Sequence, residues 1–152
     1  MLFEPKHQVV DLGSSVLSEA YWQVARLNGR LMASLMEPVL CKTFENLSPA
    51  TNANDYFDLH LNEASTVEVR TIKDGALFSF EASANVGGGR DGKNLQATQT
   101  KLDHCDYWIF CNISKFPQVQ LYVFTKAKVQ AICKAYGKTR QQFTLNQIQG
   151  IM

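Results

Sequence analysis

Charge is scarce in this chain of 152 residues: 19% of its side chains are Asp, Glu, Lys or Arg, below the roughly 25% usual in soluble domains. Fifteen basic residues against 14 acidic ones leave a formal net charge of +1. So balanced a total gives no global electrostatic signature of a nucleic-acid binder. Cysteine is present but unpatterned. Its four copies, at 41, 105, 111 and 133, form no C-x-x-C pair and have no histidines at matching spacing, which argues against a zinc site and against a disulfide scaffold. They read as small buried hydrophobes. Long apolar runs are also missing: the most apolar stretch, Tyr107 to Cys111, is far too short to span a bilayer. Met1-Leu2-Phe3-Glu4-Pro5-Lys6 has neither a basic n-region nor an apolar core, so no targeting signal is read there, and a cytoplasmic protein without a membrane partner is expected. No internal repeat is evident. What remains is ordinary globular material, 45% hydrophobic and 11% aromatic, long enough for one domain over residues 1–152 that buries roughly two-thirds of its unfolded surface.

The small net charge hides an asymmetry. Residues 1–83 carry 6 basic and 11 acidic side chains, a net of −5, and residues 84–152 carry 9 basic and 3 acidic, a net of +6. Either an acidic site and a basic surface or solvated faces that mix in three dimensions fits this split. Along the chain, Leu17, Ala20, Tyr21, Val24, Leu27 and Leu31 recur at three- and four-residue steps and predict an amphipathic helix after Ser15. Pro38 is expected to kink or end it near Met36 and to open a second short helix, Val39 to Leu47, with a loop from Ser48 to Asn54. Three strands follow, Tyr56 to Asn62, Thr66 to Ile72 and Ala76 to Ala82, each alternating with period two. A glycine-rich loop from Val86 to Gly92 leads to a polar helix, Leu95 to Leu102. Strands from Tyr107 to Ser114 and Val119 to Thr125, a helix from Lys126 to Tyr136 and a last short helix from Thr144 to Ile151 complete an α/β chain.

Register arithmetic gathers chemistry on one face. An Asp74-Gly75 type I′ turn would pair Lys73 with Ala76, Val69 with Phe80 and Glu68 with Glu81. Keeping Phe57, Leu59 and Leu61 on the Val67, Val69 face sets Asp58 across from Glu68 or Arg70. Asp58, Glu68, Arg70 and Glu81 then share the opposite face. Carboxylates so close are costly to ionise together unless a cation neutralises them, and hard oxygen ligands suit Mg²⁺ or Mn²⁺. A solvated face on which Arg70 pairs diagonally with Glu81 is the competing reading of the same spacing.

The order of elements, with Asp58, nine residues, Glu68-Val69-Arg70 and then Phe78-Ser79-Phe80, resembles the PD-(D/E)xK nuclease superfamily from about Ser14 to Thr125. The resemblance implies a restriction endonuclease-like core, a central mixed β-sheet of about five strands flanked by helices. It implies a metal-dependent nuclease hydrolysing DNA phosphodiester bonds, with Asp58, Glu68 and Arg70 as catalytic residues. Asp58 and Glu68 would be ligands of Mg²⁺ or Mn²⁺, with Glu81 or Glu19 as a further one, and a homodimer is expected. Arg70 stands where the family pattern has lysine; arginine can hold a phosphate but cannot accept a proton. Lys73 or Lys101 is the candidate to stand in for that lysine. Arg90, Lys93, Lys101 and Gln99 are expected to contact nucleic acid, the cations at phosphates and the amide at base edges. Two alternatives stand beside the nuclease: a catalytically inactive DNA- or protein-binding domain on the same fold, and an unrelated α/β domain.

Overall fold

Alternation of apolar side chains builds the centre of the molecule, as a computed structural model shows for residues 1–11, 29–51, 57–75, 80, 99–115, 117–135, 144 and 146–147, the residues described below. Six strands are described: β1 (Gln8–Asp11), β2 (Leu47–Pro49), β3 (Leu59–Leu61), β4 (Ser65–Ile72), β5 (Tyr107–Asn112) and β6 (Gln118–Thr125). They form one mixed sheet in the order β1-β6-β5-β4-β3-β2. β4 and β5 run parallel, and every other neighbouring pair is antiparallel. Helix α1 (Gly29–Thr43) lies on one face and α2 (Lys126–Ala135) on the other, where residues 99–104 are also helical.

Both faces are covered, which is why β5 reads as an unbroken apolar run. On the α1 side, Met32, Met36 and Leu40 pack against Leu59, Val67 and Ile109. On the other side, Phe80 meets Trp108 edge to face at 5.4 Å and 90°, with Phe110 and Phe124 alongside and Val129 and Ile132 of α2 above. Such aromatic pairs add about 0.5–1.5 kcal/mol each beyond their area burial. Cys105, Cys111 and Cys133 are buried and all four cysteines are free, in keeping with their reading as small hydrophobes.

The parallel junction is fixed at its start by a side-chain clamp. Asp106 Oδ2 accepts from the Thr66 backbone N–H at 3.0 Å, while Asp106 N–H donates to Thr66 O at 3.0 Å. Thr66 Oγ1 also donates to His104 O. This sets Val67 beside Tyr107 and Glu68 beside Trp108. On the other edge of β4, the Asn62-Glu63-Ala64 turn, with Asn62 and Glu63 left-handed at φ 52° and 62°, pairs Leu59 with Val67.

Several expectations need correction. α1 does not end at Pro38: that residue is on the exposed side, while Met36, Val39 and Leu40 hold the helix to the core on both sides of it. β1 was not anticipated and β2 falls where a loop was expected; both are short edge strands, and with four of the five expected strands they make the six of the described sheet, Pro49 sitting on an edge where a missing N–H costs no ladder bond. Asp74-Gly75 is not a type I′ turn, since Gly75 has φ +73° but Asp74 is not left-handed. The predicted pairing of Val69 with Phe80 fails as well: Val69 faces the α1 side and Phe80 packs over Trp108 on the opposite one. Phe57 leaves the Leu59 face for the Phe80 side, because the chain bends at residues 57–58 before β3 begins. The helix proposed after Ser15, the rest of the Ala76 to Ala82 strand and the glycine-rich loop lie outside the described residues. Among the described residues, no helix is long and apolar enough to cross a membrane.

Candidate active site

β3 is short, and its late start creates the site. Leu59 is its first paired residue, so one step back along the register Asp58 falls opposite Glu68. Its backbone N–H still donates to Val67 O at 2.8 Å. The next amide of β4 that faces this edge, Val69 N–H, donates to Asp58 Oδ2 at 2.8 Å. Asp58 is thus fixed by the backbone at both ends. Glu68 points to the Trp108 face and is 4% exposed.

Three further charged groups converge on this pair. Lys101, on the helical segment 99–104, is 6% exposed, and its Nζ donates to Glu68 Oε1 at 2.6 Å. Arg70, two residues along β4, brings Nε to 3.4 Å from the same oxygen and lays its guanidinium over the Trp108 ring at 5.2 Å. Glu37, half-buried on α1, interacts electrostatically with Glu68 and Asp58. Glu68 Oε2 is buried without a hydrogen-bond partner.

The electrostatics follow from that geometry. Burial pushes the Asp58 carboxyl up to about 8, the adjacent Glu68 charge adds to the rise, and the hydrogen bond from Val69 opposes it. Glu37 is raised for the same two reasons, burial first and Glu68 second. Cys105, beside the cluster, is pushed up to about 12, chiefly by burial and then by Glu68, so it is no nucleophile at neutral pH.

Of the residues singled out in the sequence, Asp58, Glu68 and Arg70 come together as the even register required. Lys101 joins them, but as a buried partner of Glu68 and not as a surface contact. Gln99 is exposed, and its side-chain amide donates to Asp103 Oδ1 at 3.0 Å. Lys73 is exposed at the far end of β4. Glu19, Glu81, Arg90 and Lys93 lie outside the described residues. Glu37 was missed; its signal is a lone acidic residue inside the apolar stretch Leu31 to Leu40. Among the described residues, no group of three or more His, Cys, Asp or Glu side chains is arranged to hold a metal ion. Asp58 and Glu68 are two carboxylates, which is the number Mg²⁺ takes when it keeps waters and binds substrate phosphate. The unpartnered Glu68 oxygen and the raised Asp58 pKa both fit a dication, since a bound cation would supply the missing partner and favour the ionised acid.

No protein-family model, curated protein or solved structure matches this chain.

Proposed function

We propose that the chain is a metal-dependent nuclease that hydrolyses DNA phosphodiester bonds on a restriction endonuclease-like core. The observation that carries this reading is the meeting of Asp58 and Glu68 from adjacent strands with the buried Lys101 ammonium 2.6 Å from Glu68. Asp58 and Glu68 would hold Mg²⁺ or Mn²⁺, with Glu37 close by. Such a cation polarises the phosphate and supplies a nucleophile at neutral pH. In the reaction, a water oxygen bonds to phosphorus, the bond to the leaving sugar oxygen breaks, and that oxygen departs as a hydroxyl. The protein's own part is electrostatic: Lys101 and Arg70 set positive charge beside the carboxylates, where a phosphate gathers negative charge. Lys101 meets the family's need for a lysine that Arg70 cannot serve.

Incubation of the purified protein with plasmid, linear and branched DNA in Mg²⁺ or Mn²⁺ is expected to give cleavage. Asp58→Ala or Glu68→Ala should lower the rate by at least about a hundredfold, the size of effect seen when a group stabilising transition-state charge is removed. Wild-type protein without activity, or equal cleavage by both variants, would sink the reading. A second reading, an inactive DNA- or protein-binding domain, is favoured by the packing of Arg70 against Trp108 and Glu68 at the family's lysine position. Calorimetry separates the two, because DNA binding without carboxylate-dependent Mg²⁺ or Mn²⁺ binding belongs to the second. The expected homodimer is checked by light scattering with and without DNA.

A further inference from the structure

Lys101 and Glu68 form an ion pair that is incomplete at both ends. An ammonium has three donors. Among the described residues Lys101 uses one of them, toward Glu68 Oε1, although its side chain is 8% exposed. Glu68 directs Oε1 to two cations, Lys101 and Arg70, and leaves Oε2 buried without a partner. A buried ion pair is stable when its remaining protons and lone pairs are satisfied, and costly when they are not. One kind of ligand completes both ends together: a divalent cation at the carboxylates and an oxyanion at the ammonium. A nucleic-acid phosphate lying beside a bound cation has both charges.

We infer that Lys101 couples the two, weakening divalent-cation binding while the phosphate is absent and strengthening it once the phosphate is present. The inference rests on the metal-dependent reading of Asp58 and Glu68 and adds how the same site is regulated. With no phosphate, the ammonium repels an incoming dication and competes for Glu68. With a phosphate bound, the ammonium is neutralised and its repulsion falls away. Linkage then requires the cation to raise the affinity for DNA by the same factor. Arg70 contributes less, because it stands further from Glu68 and its guanidinium rests on the Trp108 ring, with 22% of its side chain exposed. The consequence is economical: the chain holds its cation weakly until a backbone phosphate is in place.

The test is calorimetric titration of Ca²⁺ into the full chain with and without a short DNA duplex, with the duplex alone as blank and a gel to verify that the DNA is intact. Wild type is expected to bind Ca²⁺ at least about fivefold more tightly with the duplex, the low end of usual couplings. Lys101→Met is expected to bind Ca²⁺ alone more tightly than wild type and to gain clearly less from the duplex, the remainder coming from Arg70 and from direct attraction between the cation and phosphate. If circular dichroism shows that Lys101→Met does not fold, Lys101→Gln, which drops the charge and keeps a donor toward Glu68, takes its place. Equal Ca²⁺ affinity of wild type with and without duplex, or wild-type coupling in the neutral variant, overturns the inference. Should wild type bind Ca²⁺ in a manner abolished by Asp58→Ala yet show no response to DNA, the inference alone is lost. Folded wild type that binds no Ca²⁺ removes the metal-dependent reading and the inference together.

Discussion

Asp58 is held where its own charge is unwelcome, and this has a measurable sign. Its folded-state pKa of about 8 lies above its ordinary 3.8. Below about pH 4 both folded and unfolded chains keep the proton and the group costs nothing. As pH rises toward 8 the unfolded chain ionises and the folded one does not, so stability falls through that window and levels off above it. Thermal melting in a chelator from pH 5 to 9 should show this decline, and Asp58→Asn should flatten it. Saturating Mg²⁺ should flatten it too, by favouring the ionised acid. A chelated wild type with constant stability over that range would contradict the burial-driven shift. Single residues were legible in the sequence where spacing alone decides. Asp58 and Glu68 follow from the even register, and Thr144 begins its predicted helix with a reciprocal pair of bonds, Thr144 N–H to Gln147 Oε1 at 2.8 Å and Gln147 N–H to Thr144 Oγ1 at 3.3 Å. Glu37 and the inward turn of Lys101 were not legible, because each depends on which helix lands over the gap left by β3.

Elements with a clear apolar pattern, periodic or continuous, are where they were expected: β4, β5, β6 and α2 begin and end within about two residues of the pattern. β1 and β2 escaped notice because strands of four and three residues are too short to display a period. The hairpin after β4 was misread for a different reason. Asp-Gly signals a turn, but both edges of β4 are already taken at its start, by β3 and β5, and Phe80 is drawn onto the Trp108 face by aromatic packing. Pro38 shows tertiary contacts overriding a local rule. In a helix interior proline is less favourable than alanine by about 3 kcal/mol, offset in part by about 0.4–1 kcal/mol from its stiffening of the unfolded chain. Pro38→Ala is therefore expected to stabilise the protein by about 2 kcal/mol, a rise of roughly 4–8 °C in Tm for a chain of this size. A lower Tm in circular dichroism melts would contradict this.

At the scale of the whole molecule, the charge asymmetry of the sequence becomes a boundary in space. β2, β3 and β4 come from the acidic half and β5, β6 and α2 from the basic half, and the parallel β4–β5 pair joins them, with β1 alone crossing to the far edge. Lys101 reaches over that join to Glu68, so the candidate site draws on both halves. The same join has a consequence for how the chain folds. β5 and β6 are linked by a short turn, whereas β4 meets β5 only after the whole segment from residue 73 to 106 has closed, and long closures are late, entropy-limited events. Val69 and Val123 offer a controlled comparison, since they flank the same residue, Ile109, from opposite sides and are 6% and 7% exposed. Val123→Ala should slow folding, while Val69→Ala should mainly speed unfolding, as expected for contacts formed before and after the folding transition state. Stopped-flow chevrons showing the reverse order would contradict this sequence of events. Glu68, on the late side of the join, gains Lys101 only after that barrier is crossed, so the nascent sheet passes its transition state with the acidic cluster unneutralised by its own lysine.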